Sequence, residues 1–197
     1  MKSFLCRASL LSLFAVAGCT ESQAPQGSVP ASDASPSSFR ATSSIQDIMG
    51  HQIEPAAEAL WNSVSTTISA EGVEEKRPQT DEEWFAVRSH AITLMEATNL
   101  LVMDGRKVLL PGQTMADEGV QGVLPAADVQ AKIDANRAQF IQFSHLLHDV
   151  SNDMLKAIDA KNIQGMLDAG EDIDAACESC HMTFWYPNQV IPEFPDK

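Results

Sequence analysis

The segment Cys177-Glu178-Ser179-Cys180-His181 carries the side chains with the clearest chemistry in this sequence. It matches the C-x-x-C-H pattern of c-type haem attachment, in which two thiols add to the haem vinyl groups and the adjacent imidazole binds the iron. On a helix, positions 177, 180 and 181 share one face, so all three side chains reach a porphyrin from the same side. The spacing therefore predicts one covalent haem c, held by Cys177, Cys180 and His181, with His181 as an iron ligand.

A Cys-x-x-Cys pair also occurs in thioredoxin-like dithiols, in zinc sites and in structural disulfides. A redox pair usually opens a helix after a strand, whereas this pair lies near the end of the last predicted helix. A zinc site needs two more ligands at matching spacing. Of the four cysteines, Cys6 falls in the export signal described next, and lipidation of Cys19 and haem attachment account for the rest.

The first 18 residues have the pattern of an export signal, with Lys2 and Arg7 followed by an apolar run at 8–17. That run is too short to span a bilayer, which takes about 20 apolar residues. Val16-Ala17-Gly18-Cys19 resembles the lipobox of bacterial lipoproteins, in which cleavage leaves a cysteine that carries lipid. A plain secreted protein with a coincidental cysteine is the alternative. We expect a periplasmic protein anchored to a bacterial membrane through Cys19.

Residues 20–44 contain eight Ser and three Pro and almost no large apolar side chain. Such a composition buries too little apolar surface to offset the conformational entropy lost on folding. Three regions are therefore predicted: a lipoprotein-type signal peptide at 1–18, a lipidated Cys19 with a disordered Ser/Pro-rich tether at 19–44, and a folded domain at 45–197.

The composition favours helices and argues against nucleic acid as a partner. The chain has 197 residues, of which 44% are hydrophobic and only 6% aromatic, so its core must come mainly from aliphatic side chains and Met. Its formal net charge of −14 would repel a phosphate backbone. Acidic surfaces of this kind favour redox partner proteins with basic docking surfaces.

Apolar side chains recur at spacings of three and four in four segments, as in amphipathic helices. Pro55 lies inside the first segment and predicts a kink, and Thr80 with Glu83 forms a capping-box pattern before the second. Residues 104–126 are rich in Gly and Pro around Val108, which indicates a long crossover with partial burial. The prediction is an all-α, antiparallel four-helix bundle without strands. Its helices span 45–71, 81–103, 127–160 and 162–186.

The bundle and its motif resemble the cytochromes c prime and their low-spin relatives, exported four-helix bundles with C-x-x-C-H near the C-terminus. The resemblance covers about 45–186. It is carried by the motif ending at His181, the Ile48-Met49 segment and the aromatic ending Phe184-Trp185-Tyr186. Family members commonly place a basic residue shortly after the haem histidine, whereas Met182-Thr183 follow here. The resemblance also implies a possible homodimer through helix 1.

The resemblance implies that His181 is the proximal ligand and that helix 1 faces the other side of the haem. A helix 1 methionine closes that side in the low-spin branch, and an apolar side chain leaves it open in the high-spin branch. Met49 lies where the low-spin branch has its thioether, on the same stripe as Ile53 and Leu60. His51 would point about 200° away from it around a helix. Met49 is therefore predicted as the second iron ligand; the alternative is that it only packs.

Other candidate side chains have weaker signals. His90, His145 and His148 are expected to be solvated or hydrogen-bonded rather than bound to iron. Trp61 and Trp84 are expected to pack in the bundle, and the sequence leaves open whether either lies against the haem edge.

A pair of His181 and Met49 ligands predicts an electron carrier, because a thioether favours ferrous iron and both ligands stay bound in either oxidation state. The alternative function is a five-coordinate haem protein that binds small gases such as nitric oxide or carbon monoxide. A peroxidase needs distal acid–base groups, and the helix 1 stripe offers no His or Arg for that role. We therefore expect electron transfer without enzymatic activity.

Overall fold

Most of the computed structural model is helical, with one small sheet; it describes residues 39–189. The predicted signal peptide, Cys19 and the tether as far as residue 38 lie outside this range. No helix within the range is long and apolar enough to cross a membrane. The elements are α1 (Ile45–Ile48), a π-helical segment (Met49–Ile53), α2 (Glu54–Trp61), β1 (Ser65–Ser69), β2 (Gly72–Lys76), α3 (Asp81–Leu101), α4 (Ala126–Ala135), α5 (Arg137–Asp159) and α6 (Ile163–Phe184).

The predicted first helix, 45–71, is wrong beyond Trp61, and so is the expectation that the chain has no strands. β1 and β2 form an antiparallel hairpin in which Ile68 pairs with Val73. β1 reads Ser-Thr-Thr-Ile-Ser, a run of weak helix formers and β-branched residues that suits a strand. Gly72 supplies the positive φ of 136° that the turn requires. Every residue of both strands is exposed, so the hairpin adds little to the core.

A kink was predicted at Pro55, and the structure has the π segment directly before this residue. The Glu54 N–H donates to the Met49 carbonyl, five residues back, instead of four as in an α-helix. Pro55 has no N–H, and its ring would collide with the His51 carbonyl in a regular α-helix. The wider turn just before Pro55 accommodates it. We call residues 45–61, which comprise α1, the π segment and α2, the N-terminal helical unit.

The capping box predicted at Thr80 and Glu83 is confirmed, and it opens α3. Ser44 and Asp47 form a second capping box, which opens α1. Ser44, which the sequence placed at the end of the tether, is fully buried. Boxes of the same chemistry therefore begin α3 and the N-terminal helical unit, which lie on either side of the hairpin in the sequence.

The predicted third helix, 127–160, is two helices, α4 and α5, that break at Asn136. This residue has φ −126° and ψ 39°, outside helical values. Its side-chain amide donates to the Lys132 carbonyl at 2.9 Å, a local bond by which Asn competes with helix continuation. The fourth predicted helix corresponds closely to α6.

The core lies among the N-terminal helical unit, α3, α5 and α6, which pack against one another. The segment that joins α3 to α4 has neither helix nor strand, yet it adds the buried side chains Val108 and Met115 to this core. The predicted crossover with partial burial is therefore confirmed. Six of the fully buried side chains are Leu60, Leu94, Phe140, Met154, Met166 and Ile173.

Candidate functional site

A cavity of about 330 Å³ brings the predicted site residues together. Met49 of the π segment and Cys177, Cys180 and His181 of α6 all line it, although they are about 130 positions apart in the sequence. Its volume falls in the range of about 300–1,000 Å³ that is usual for small-molecule sites. Two separate elements thus contribute the candidate ligands to one space.

The remaining walls of the cavity are mostly apolar. α3 contributes Leu101 and α5 contributes Phe143 and Leu147, while the N-terminal helical unit adds Ile53 and Ala57. No Lys or Arg is among the described lining residues, whereas three carboxylates are. The lining carboxylates are Glu54, Asp174 and Glu178.

Both cysteines of the motif carry free thiols and are half-buried. Burial, with the charges of Asp174 and Glu178 adding to it, raises the pKa of Cys177 to about 11. Burial raises the pKa of Cys180 to about 12, with a contribution from Cys177. The thiols are therefore protonated at neutral pH, whereas a dithiol redox pair has a lowered pKa at a helix N-terminus. Both lie in the last third of α6, which is unlike a thioredoxin-type site.

The His181 imidazole is also half-buried. Burial lowers its pKa, although the charges of Glu178, Asp117 and Glu54 oppose this shift. Neutral imidazole is the form that binds metal ions. Within residues 39–189, the structure contains no cluster of three or more His, Cys, Asp or Glu side chains that could hold a metal ion.

The aromatic ending of α6 packs around the histidine. The ring centroids of Trp185 and Tyr186 lie 6.2 Å and 5.8 Å from that of His181. The Tyr186 hydroxyl donates to Glu178 Oε2 at 2.6 Å, and burial followed by this bond raises the pKa of Tyr186. Phe184 is fully buried and meets Phe140 edge to face at 5.5 Å. The aromatic residues Phe184, Trp185 and Tyr186 thus pack the C-terminal end of α6.

Met49 is half-buried and lines the cavity, whereas His51 is exposed and does not line it. His90, His145 and His148 are also absent from the lining.

Trp61, rather than Trp84, lies at the cavity. It is 38% exposed and its Nε1 donates to the Gly170 carbonyl of α6 at 3.0 Å. Trp84 packs instead beneath the Lys161 ammonium, 5.5 Å from the ring centroid.

Several features of the site escaped the sequence analysis. The α5 side chains that line the cavity, Phe143 and Leu147, had no distinguishing signal because they belong to an ordinary apolar stripe. The π segment could have been suspected from Pro55, which disfavours a regular turn before it. The donor set of two protonated thiols, one neutral imidazole and one thioether around an apolar cavity fits a haem c.

Comparison of the chain with protein-family models, with curated proteins and with solved structures found no match.

Proposed function

We propose that this protein is a c-type cytochrome that holds one haem c covalently and transfers electrons in the periplasm. The observation that carries the proposal is the shared apolar cavity, lined by both thiols and the imidazole of a C-x-x-C-H motif and by the Met49 thioether. None of the dithiol, zinc or disulfide interpretations accounts for Met49.

The proposed fold is a four-helix bundle of the cytochrome c prime type. Its helices would be the N-terminal helical unit, α3, α5 and α6, whose packing around one core supports the assignment. The hairpin and α4 would be additions to this plan. Burial of aliphatic and Met side chains among these four elements is consistent with it.

Each side chain has a defined role in this proposal. The sulfur atoms of Cys177 and Cys180 would each bond to one vinyl carbon, with the thiol protons going to the neighbouring carbons, so that no oxidant is consumed. His181 Nε2 and Met49 Sδ would hold the iron. A bound haem supplies a one-electron couple, whose potential a thioether ligand raises. The apolar side chains of Leu101, Phe143 and Leu147 would keep water out of the cavity. Electron transfer needs no proton donor or acceptor there.

The edge of the cavity supports a role in docking redox partners. Trp61 is partly exposed there, and Glu54 and Asp174 are exposed carboxylates. A redox partner with a basic docking surface would be attracted to this edge and released again at moderate ionic strength. The lipid anchor at Cys19 would keep such encounters near the membrane. Substitution Cys19→Ala should move the protein to the soluble periplasmic fraction, and retention on the membrane would contradict the anchor.

The test of the proposal is expression with haem maturation, followed by mass spectrometry and absorption spectroscopy. The polypeptide should gain the mass of one haem, its oxidised form should show a methionine–sulfur band near the red end, and its reduced form should not bind carbon monoxide. A polypeptide without the added mass would overturn the proposal.

The matched pair Met49→Ala and Met95→Ala assigns the second ligand. Met95 is half-buried in α3 and does not line the cavity. The Met49 variant should lose the sulfur band, bind carbon monoxide and have a lower potential, while the Met95 variant should keep the wild-type spectrum. Ready carbon monoxide binding by the wild type would instead favour the five-coordinate gas-binding function, with apolar Ile53 and Leu101 beside the open iron.

A further inference from the structure

Residues 102–125, which join α3 to α4, contact both elements that carry the proposed iron ligands; we call them the strap. The strap begins directly after Leu101, itself a lining residue of the cavity. It is long for a connection without secondary structure, and segments of that kind in compact domains usually have a function.

At its first half the strap is bonded to the start of the N-terminal helical unit. The Ile45 N–H donates to the Lys107 carbonyl at 2.8 Å, and the Gln46 N–H donates to the Val108 carbonyl at 3.3 Å. The buried Arg106 guanidinium donates to the Ser43 and Leu100 carbonyls. The backbone just before α1 is therefore tied to the end of α3.

Side chains add a second set of bonds between the strap and α1. The Gln46 amide donates to the Thr114 carbonyl at 3.0 Å and accepts from the Ala116 N–H at 2.9 Å. Gln113 Nε2 donates to Asp47 Oδ1 at 2.7 Å, and Gln113 Oε1 accepts from the Leu110 N–H. The bonded residues of α1 precede Met49 by only two and three positions.

At its second half the strap meets the end of α6. The Leu124 N–H donates to the carbonyl of Trp185, whose ring lies beside His181, at 2.8 Å. Gly122 packs so closely that a Cβ there would lie 3.3 Å from the Gln189 Cα. The strap thus touches the chain next to Met49 at one end and next to His181 at the other.

We propose that the strap positions the two iron ligands relative to each other, with Gln46 and Gln113 as the positioning residues for Met49. The proposal rests on the proposed function. Met49 lies where the N-terminal helical unit changes from α to π hydrogen bonding, so the regular helix bonds around it are interrupted and its placement depends also on contacts from outside. The Met side chain is flexible and cannot hold its own backbone in place. The bonds of Gln46 and Gln113 supply that restraint.

The test compares the double variant Gln46→Ala/Gln113→Ala with the matched control Gln164→Ala in the haem-loaded protein. Gln164 is exposed on α6, and its side chain hydrogen-bonds to Asp168 of the same helix. After reduction the double variant should bind carbon monoxide at a rate at least about tenfold above the detection limit that bounds the wild type, since each lost hydrogen bond shifts the open fraction several-fold. It should also weaken the methionine–sulfur band. The Gln164 variant should match the wild type in both measurements.

Free energies of unfolding, measured on the same proteins, separate positioning from plain stabilisation. A double variant with lower stability but wild-type carbon monoxide kinetics and spectrum would overturn the strap proposal alone. If the double variant does not fold, Gln46→Ala by itself should show the same changes at smaller size, and a wild-type spectrum there would overturn the proposal. A wild type that lacks covalent haem or binds carbon monoxide freely would overturn the proposed function, and the strap proposal with it.

Discussion

The cavity is bounded by α6 and by the N-terminal helical unit, and these two regions are built in different ways. α6 is one uninterrupted helix of 22 residues. The N-terminal helical unit is helical from Ile45 to Trp61, but its hydrogen bonding changes from α to π at Met49 and back at Glu54. Such a change widens one turn and interrupts the regular ladder of helix bonds. The relative position of Cys177 and His181 is therefore set by the regular geometry of α6, whereas we infer that the position of Met49 depends also on bonds from the strap.

Because α6 and the N-terminal helical unit are built differently, substitutions in the two regions should have different effects. Changes along α6 should remove the attachment of a haem or unfold the protein, because the motif and the helix are one unit. Changes around α1 and the strap should leave an attached group in place and alter only what Met49 does. The predictions below test this contrast, beginning with the largest effect.

Substitution of both motif cysteines, Cys177→Ser/Cys180→Ser, should abolish covalent haem completely. The two sulfur atoms are the only attachment points that the proposal provides. Mass spectrometry under denaturing conditions measures the result directly, and the variant Cys19→Ser should keep the full haem mass. Retention of covalent haem in the double cysteine variant would show that attachment does not involve this motif.

Substitution Phe184→Ala should lower the free energy of unfolding by about 3–5 kcal/mol, the usual cost of removing a buried aromatic side chain. Phe184 is fully buried at the end of α6 and packs against Phe140 and Phe143. The matched control is Phe85→Ala on α3, because Phe85 is 73% exposed and should change stability by less than about 0.5 kcal/mol. Denaturant unfolding of the two variants checks the difference. Equal effects would mean that α6 does not depend on this packing.

Substitution Arg106→Ala should cost about 2–3 kcal/mol, because charged hydrogen bonds to the Ser43 and Leu100 carbonyls disappear inside the protein. Arg88 offers a matched control. Its exposed ion pair with Asp159 should contribute about 0–1 kcal/mol, so Arg88→Ala is expected to be mild. Equilibrium unfolding of the two variants would measure both changes in the free energy of unfolding. A harmless Arg106→Ala variant would show that the backbone before α1 is held by the other strap bonds alone.

The same contrast explains how much of the site could be predicted from the sequence. The position of α6 and the common face of Cys177, Cys180 and His181 follow from local spacing, since a helix brings residues three and four apart together. The start of α3 followed from its capping residues, Thr80 and Glu83, which are also close in sequence. These predictions needed no knowledge of distant parts of the chain.

The features that escaped prediction depend on competition between a helix and another local structure, or on contacts between residues far apart in the sequence. The stripe of the predicted first helix continued through Val64 to Thr67, so it gave no signal that a hairpin would begin at Ser65, because β-branched residues also occur in helices. The break at Asn136 is decided by one side-chain bond within a continuous apolar pattern. The partners of the Gln46 side chain, and the Asp47 partner of Gln113, lie more than sixty positions away, and no periodicity encodes such pairings.

The smallest predicted effect is the acid response of the α3 capping box, which has no contact with the strap. Hydrogen bonds from the Gln79 and Thr80 backbone N–H groups lower the pKa of Glu83 below its usual value. A carboxyl whose pKa is lower in the folded state stabilises the protein fully above the unfolded pKa, near 4.3, and loses this contribution as the pH falls through the folded value.

Unfolding measured between about pH 3 and pH 6 should therefore show a slightly shallower acid loss of stability in Glu83→Gln than in the wild type. The spectrum of the haem-loaded protein should not change, because α3 begins far along the helix from Leu101, its lining residue. An altered sulfur band in Glu83→Gln would mean that the start of α3 also positions Met49. The strap would then not be the only segment outside the N-terminal helical unit on which Met49 depends.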